Sequence, residues 1–156
     1  QSLDWNQLKG LIVSSGPGSY TGMRVSEGIA QILEIEELPI FSFYHFEVLS
    51  ILGRSGAWVS EAFKGEYFFY DTQNENSELL NLEALILRIA DRNDVYALNN
   101  EVRGVAYNFI STSDLLKEYS KTIFLDVIET NKRREPFYYR PENVEFSLKS
   151  KKETNL

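Results

Sequence analysis

Seven consecutive residues concentrate the groups that could do chemistry in this chain: Gly16, Pro17, Gly18, Ser19, Tyr20, Thr21 and Gly22, with Arg24 two positions on. Glycine tolerates positive φ and admits close backbone approach, while proline fixes its own φ. When a helix follows such a turn, backbone N–H groups and the helix N-terminus converge on one point, the geometry of an anion or phosphate cradle. Neither familiar phosphate loop is complete here. The Lys-Ser/Thr ending is missing, and in a G-x-G-x-x-G alignment Thr21 holds the third glycine's place while Gly22 comes one residue late. Two readings therefore stand side by side. One is an anion cradle or partner contact; the other is a tight strand-to-helix connection with Ser19 or Thr21 as N-cap.

Other chemical groups are sparse. Glu27, Glu47, Glu61 and Glu66 supply carboxylates, but their spacing marks no acid–base pair. His45 is the sole histidine; at the start of a helix pattern it reads as a packing residue rather than a base. There is no G-x-S-x-G elbow, no H-E-x-x-H and no Asp-rich metal loop. The absence of cysteine excludes disulfides, thiolate metal sites and cysteine nucleophiles. No catalytic residue and no metal ligand is assigned.

The elements that must position these groups follow from periodicity. Leu11-Ile12-Val13 reads as a buried strand before the turn. A helix pattern runs from Met23 to Glu36, with Val25, Ile29, Ile32 and Leu33 on one face and Arg24, Ser26, Glu27, Gln31 and Glu34 opposite. That apolar face either covers the domain's own sheet or packs on another helix. Gly22, Ser26, Gly28 and Ala30 admit close approach of another backbone, and a mid-helix glycine costs about 1 kcal/mol against alanine, so Gly28 predicts tight packing. Leu38-Pro39 ends the helix.

Ile40 to Phe43 reads as a second strand. Tyr44 to Leu52 reads as a helix with Phe46, Leu49 and Leu52 inward and Gly53 as its stop. Ala57 to Glu61 and Tyr67 to Tyr70 form a hairpin around Phe63-Lys64-Gly65-Glu66. Thr72 to Glu78 is polar and reads as a loop or boundary. Beyond it lie a helix over Leu82 to Ala90, a strand over Val95 to Leu98, and a turn at Asn99 to Gly104. A short helix follows with Leu115, Leu116 and Tyr119, capped by Thr112 or Ser113, and Ile123 to Val127 reads as a last strand. Leu3 to Leu8 reads as a helix end or linker, and Lys149 to Leu156 as a disordered polar tail.

Strands alternating with helices predict an α/β fold. Three regions are expected: residues 1–71, a smaller α/β region over 72–148, and the tail 149–156. With 156 residues and 43% hydrophobic content the chain can bury a core. Its net charge of −7 argues against gripping a phosphate backbone unaided, because that affinity comes from lysine and arginine. The basic triplet Lys132-Arg133-Arg134 accordingly reads as a solvated loop rather than a nucleic-acid contact. No apolar run is long enough to span a membrane and no secretory leader is visible, so a cytoplasmic location is expected.

The stretch from Gly16 to Arg24, GPGSYTGMR, closely resembles the GPGSFTGLR signature of the TsaB (YeaZ) family, which serves the bacterial pathway making threonylcarbamoyladenosine in tRNA. Three further segments carry the resemblance. FSFYHFEVLS lies where the family has G-V-S-S-L-E-A-L-A, sharing Glu47, with Tyr44 and His45 in place of the serines. SEAFKGEYFFY is similar to D-A-R-R/K-G-E-V-Y: Ala62, Lys64, Gly65 and Glu66 match, Glu61 stands for Asp and Phe63 for Arg. Pro136 to Pro141 resembles P-x-Y-L-R.

The resemblance implies an actin-like (ASKHA, RNase H-like) domain through about Tyr70. Family members open with a β-hairpin carrying Ile-Asp-Thr-Ser and then a helix; no such segment is present, so an N-terminally incomplete domain is expected. The implied function is a non-catalytic scaffold that docks and activates the TsaD-type threonylcarbamoyl transferase through the helix after the turn. Val25, Gly28, Ile29, Ile32, Leu33 and Glu36 are the implied interface, and the same helix supports homodimers in the family. The resemblance further implies that ATP is used by the partner complex, that a TsaE-type ATPase is reached through it, and that tRNA contact is indirect. Two alternatives remain: a nucleotide-binding actin-like protein using Gly16 to Gly22 as a phosphate cradle, and a peptidase under the superfamily's older glycoprotease label.

Overall fold

Leu11–Ser14 forms a strand, β1, and Ile40–Phe43 forms β2, which pairs with it in parallel, Leu11 opposite Ile40 and Ser14 opposite Phe43. The computed structural model describes residues 7–139 of the chain. Between the two strands runs helix α1, Tyr20–Ile35, the crossover that parallel pairing requires. A short helix, α2 (Glu47–Ile51), follows β2.

The second sheet has five strands and is mixed. Ala57–Glu61 (β3) lies at its centre. It pairs antiparallel with Glu66–Asp71 (β4) and parallel with Val95–Ala97 (β6). Asn76–Asn81 (β5) flanks β4, and Ile110–Ser111 (β7) flanks β6, giving the order β5-β4-β3-β6-β7. Helix α3 (Leu82–Ile89) follows β5, while α4 (Thr112–Glu118) and α5 (Ser120–Glu129) follow β7. The architecture is mixed α/β.

Strand periodicity of two divides the core between the sheet's faces. Val59, Tyr67, Phe69, Val95 and Ala97 point to one face, where Leu85 and Ile89 of α3 cover them. Their neighbours Trp58, Phe68 and Tyr96 point to the other, against Phe43, Phe46, Leu49, Leu115, Ile123 and Val127. The Trp58 indole N–H donates to Thr112 Oγ1 at 3.3 Å, and that hydroxyl donates to the Ala97 carbonyl at 2.9 Å, so the buried polar atoms between β3, β6 and α4 satisfy one another.

After α5 the segment Lys132–Tyr139 lies as a strap along β2, the glycine turn and β3. The Ser42 amide donates to the Lys132 carbonyl, the Tyr44 hydroxyl to the Glu135 carbonyl, and the Phe137 amide to the Ser15 carbonyl. Ser60 Oγ and the Tyr139 hydroxyl share a 2.8 Å hydrogen bond. Phe137 inserts its ring among Tyr44, Phe46 and Phe68.

Several sequence expectations are corrected. Thr72 to Glu78 is not a loop throughout: the chain turns and returns as β5, registered Phe68 to Leu79 and Tyr70 to Ser77. The sheet thus draws strands from both sides of Asp71. Its polar side chains hid β5, because an edge strand needs only the half-buried Glu78, Leu79 and Leu80 to face protein. Ile123 to Val127 is the middle of α5, not a strand; Ile123 and Val127, four apart, are the buried pair while Leu125 and Ile128 are exposed. α1 begins at Tyr20 rather than Met23, α2 is confined to Glu47–Ile51, and Ser111 caps α4 in place of Thr112 or Ser113. The readings at 1–6 and 149–156, and Arg140 and Pro141, fall outside the described residues.

Candidate functional site

The turn between β1 and α1 is built inward. The Ser15 amide donates to the Phe43 carbonyl at 2.9 Å, and the Ser15 carbonyl accepts from the Phe137 amide at 2.8 Å. The Gly16 carbonyl accepts from the His45 amide at 2.8 Å. Gly16 has a φ of 109°, and a Cβ there would stand 2.8 Å from the Phe137 carbonyl oxygen, so glycine is required twice over. Pro17 follows through a cis peptide bond. Gly18 bridges to Tyr138 of the strap, and a Cβ on it would meet Met23 Sδ at 3.0 Å. Ser15, Gly16 and Pro17 are buried.

Ser19 caps α1. Its hydroxyl accepts from the Gly22 amide at 3.2 Å and its carbonyl accepts from the Met23 amide. Of the two N-cap candidates the structure thus uses Ser19. Tyr20 lies against the ring of Tyr138, with centroids 5.0 Å apart, and the Arg24 guanidinium sits 4.3 Å above Tyr20. Thr21 is exposed.

On α1 the residues split by face. Met23 and Ala30 are buried. Val25, Ile29, Ile32 and Ile35 are 58%, 52%, 62% and 79% exposed. The apolar stripe therefore does not cover the chain's own sheet. Leu33 is half-buried and Glu36, at the C-cap, is exposed. Gly28 corrects the packing expectation: a Cβ there would meet nothing within 4 Å, so no segment among the described residues packs on it.

The inward polar positions of α1 are occupied by the strap. Arg133 donates to Glu27 at 2.8 and 3.1 Å and to Glu34 at 2.7 and 3.2 Å. Arg134 pairs with Glu47, whose carboxylate also accepts from the Tyr44 amide at 2.8 Å, and Lys132 pairs with Asp126 at 2.8 Å. The basic triplet is thus not a solvated loop; each charge is spent inside the fold. Hydrogen bonding to Arg133 lowers the pKa of Glu34, and the same contacts raise that of Arg133. Sequence reasoning missed this pairing, although Glu27, Gln31 and Glu34 at helical spacing offered a signal: Gln31 donates to Glu27 at 3.0 Å, and all three form one polar row.

The second motif lies at the β3–β4 hairpin. Lys64 and Gly65 take positive φ at its tip, Lys64 Nζ rests 5.2 Å from the Phe63 ring centre, and the Ala62 amide donates to the Glu66 carbonyl. Glu61 and Lys64 are exposed, and Glu66 opens β4. The strap spans from this hairpin strand to the glycine turn, since Tyr139 touches Ser60 while Tyr138 touches Gly18 and Tyr20.

His45 packs edge-on to Phe43, its Nδ1 buried without a hydrogen-bond partner, and burial lowers its pKa from the ordinary 6.5. Among the described residues no group of three or more His, Asp or Glu is placed to hold a metal, and no helix is long and apolar enough to cross a membrane. No protein-family model matches the chain, and no curated protein matches its sequence.

Proposed function

We propose that this chain is a non-catalytic docking subunit of the tRNA threonylcarbamoyladenosine machinery, an actin-like protein that engages a TsaD-type threonylcarbamoyl transferase through α1. The observation that carries the reading is the outward apolar stripe Val25, Ile29, Ile32, with Ile35 beside it, on the helix that follows the GPGSYTG turn. A contiguous exposed apolar face on a helix marks a protein contact more often than a solvated surface. Gly28 lies in the same face with open space above it, which suits close approach of a second helix.

The phosphate-cradle alternative gains no support from the turn. The Ser15 amide and the Ser15 and Gly16 carbonyls are spent on Phe43, Phe137 and His45, and the Gly22 amide in the first turn of α1 is taken by Ser19. ATP and the TsaE-type ATPase belong, on this reading, to the assembled complex, and tRNA contact is indirect. The test is capture of the transferase of the same organism, with and without nucleotide. Saturable binding is expected; its absence in both conditions overturns the proposal. Calorimetry of the chain alone with ATP or ADP is expected to show no heat at millimolar ligand.

A further inference from the structure

The docking face of α1 is held in place from behind by very little apolar surface. Along the side of α1 turned to the protein, Met23, Glu27 and Ala30 follow one another at helical spacing with the exposed Glu34 at the margin; Met23 and Ala30 are buried and Leu33 is half-buried. The other two positions are carboxylates, and each carboxylate is held by the one guanidinium of Arg133. Arginine's planar fork can serve two carboxylates with paired donors, where a lysine offers a single point charge. Arg133 and Glu27 are 28% and 19% exposed, so their bonds are better shielded than those of an ordinary surface pair, while the Glu34 carboxylate lies at the surface.

The strap carrying Arg133 is anchored without it. Lys132, Arg134, Glu135 and Phe137 all bond the β2 and glycine-turn backbone or side chains, and Tyr139 bonds Ser60. Removing the Arg133 side chain therefore leaves the strap seated and takes from α1 its two carboxylate contacts, while Tyr138 still lies against Tyr20. We infer that Arg133 is a positioning residue: it clamps Glu27 and Glu34 to set the orientation of α1, and so presents the Val25–Ile32 stripe at a fixed angle from a site that the stripe's partner does not touch. The link to docking rests on the function proposed above; the clamp itself does not.

Amide hydrogen exchange on the whole free chain separates the two. Arg133→Met should raise exchange across Tyr20–Ile35 about tenfold, with β3 and β4 unchanged, because α1 opens locally rather than with the sheet. Glu27→Gln with Glu34→Gln should do the same while keeping the arginine, and Arg133→Lys should restore part of the protection. Capture of the transferase should weaken about tenfold for Arg133→Met although the stripe is untouched, and recover in part for Arg133→Lys. Unchanged exchange in α1 for both variants overturns the clamp, and so does a rise spread equally over β3 and β4. If wild type fails to capture the transferase, the proposed function falls, while the exchange result still decides the clamp.

Discussion

Replacing Ile32 by Glu tests the proposed docking face with little disturbance to the fold. Ile32 is 62% exposed, so only about a third of the ~1.5–3 kcal/mol for burying an isoleucine is committed to the fold. Glutamate is at least as good a helix former as isoleucine. The expected stability loss is therefore under about 1 kcal/mol, a melting shift of no more than about 4 °C. On docking, the same position would lose its remaining apolar burial and bring an unpaired carboxylate into the contact, a cost of about 2–4 kcal/mol at the centre of an interface. That corresponds to roughly a 30- to 1,000-fold weaker complex. The assay is a titration of transferase against labelled chain, beside a thermal melt. Leu87→Glu on α3 is the control: Leu87 is 77% exposed and lies off the α1 stripe, so affinity should hold. Binding of Ile32→Glu within about threefold of wild type at an unchanged melting point refutes the assignment of the face, as does an equal loss for Leu87→Glu.

Three further outcomes are expected. Gly16→Ala should cost about 2 kcal/mol or more in denaturant unfolding, since its φ of 109° and the Phe137 carbonyl both oppose a Cβ, whereas Gly28→Ala should gain about 0.5–1 kcal/mol and yet weaken capture of the transferase. Thr112→Val should cost about 1–3 kcal/mol by leaving the Trp58 indole N–H buried and unpaired; an unchanged unfolding midpoint would show that bond to contribute nothing. Because burial lowers the His45 pKa from 6.5, the unfolded chain binds a proton that the folded chain refuses, so stability should fall as pH drops below about 6.5. His45→Asn should flatten that slope in unfolding experiments run across the same range.

The parts of the fold legible in the sequence are those whose local pattern and tertiary role agree. Ile40 to Phe43 and Ala57 to Glu61 are strands whose apolar residues are largely buried where the pattern places them, whereas Leu11 to Val13 is a strand as read but only half-buried, not buried. The turn at Gly16 was legible as a glycine requirement, but its orientation was not. Whether the backbone faces a ligand or the protein depends on Phe137, far along the chain. The apolar face of α1 was visible as a stripe, yet periodicity cannot say which side of an amphipathic helix meets its own sheet. Here the isoleucines face outward, while Glu27 is turned to the protein and, with the exposed Glu34, is held by Arg133. Ile123 to Val127 misled for a simpler reason. A short apolar run fits a strand or a helix equally, and Ile123 and Val127 decide for the helix only once the sheet beneath them is known.

The strap has a bearing on how the chain is made. Arg133 follows Glu27 by 106 residues, so the support for α1 is translated long after α1 itself. At about 5–20 residues per second, a nascent α1 waits roughly 5–20 s with its outer isoleucines and its inner carboxylates both in solvent. Contacts of such sequence separation also form late in refolding, after the local β3–β4 and β4–β5 hairpins. The polar support of α1 is therefore completed only after its outer isoleucines have spent that interval exposed to premature association.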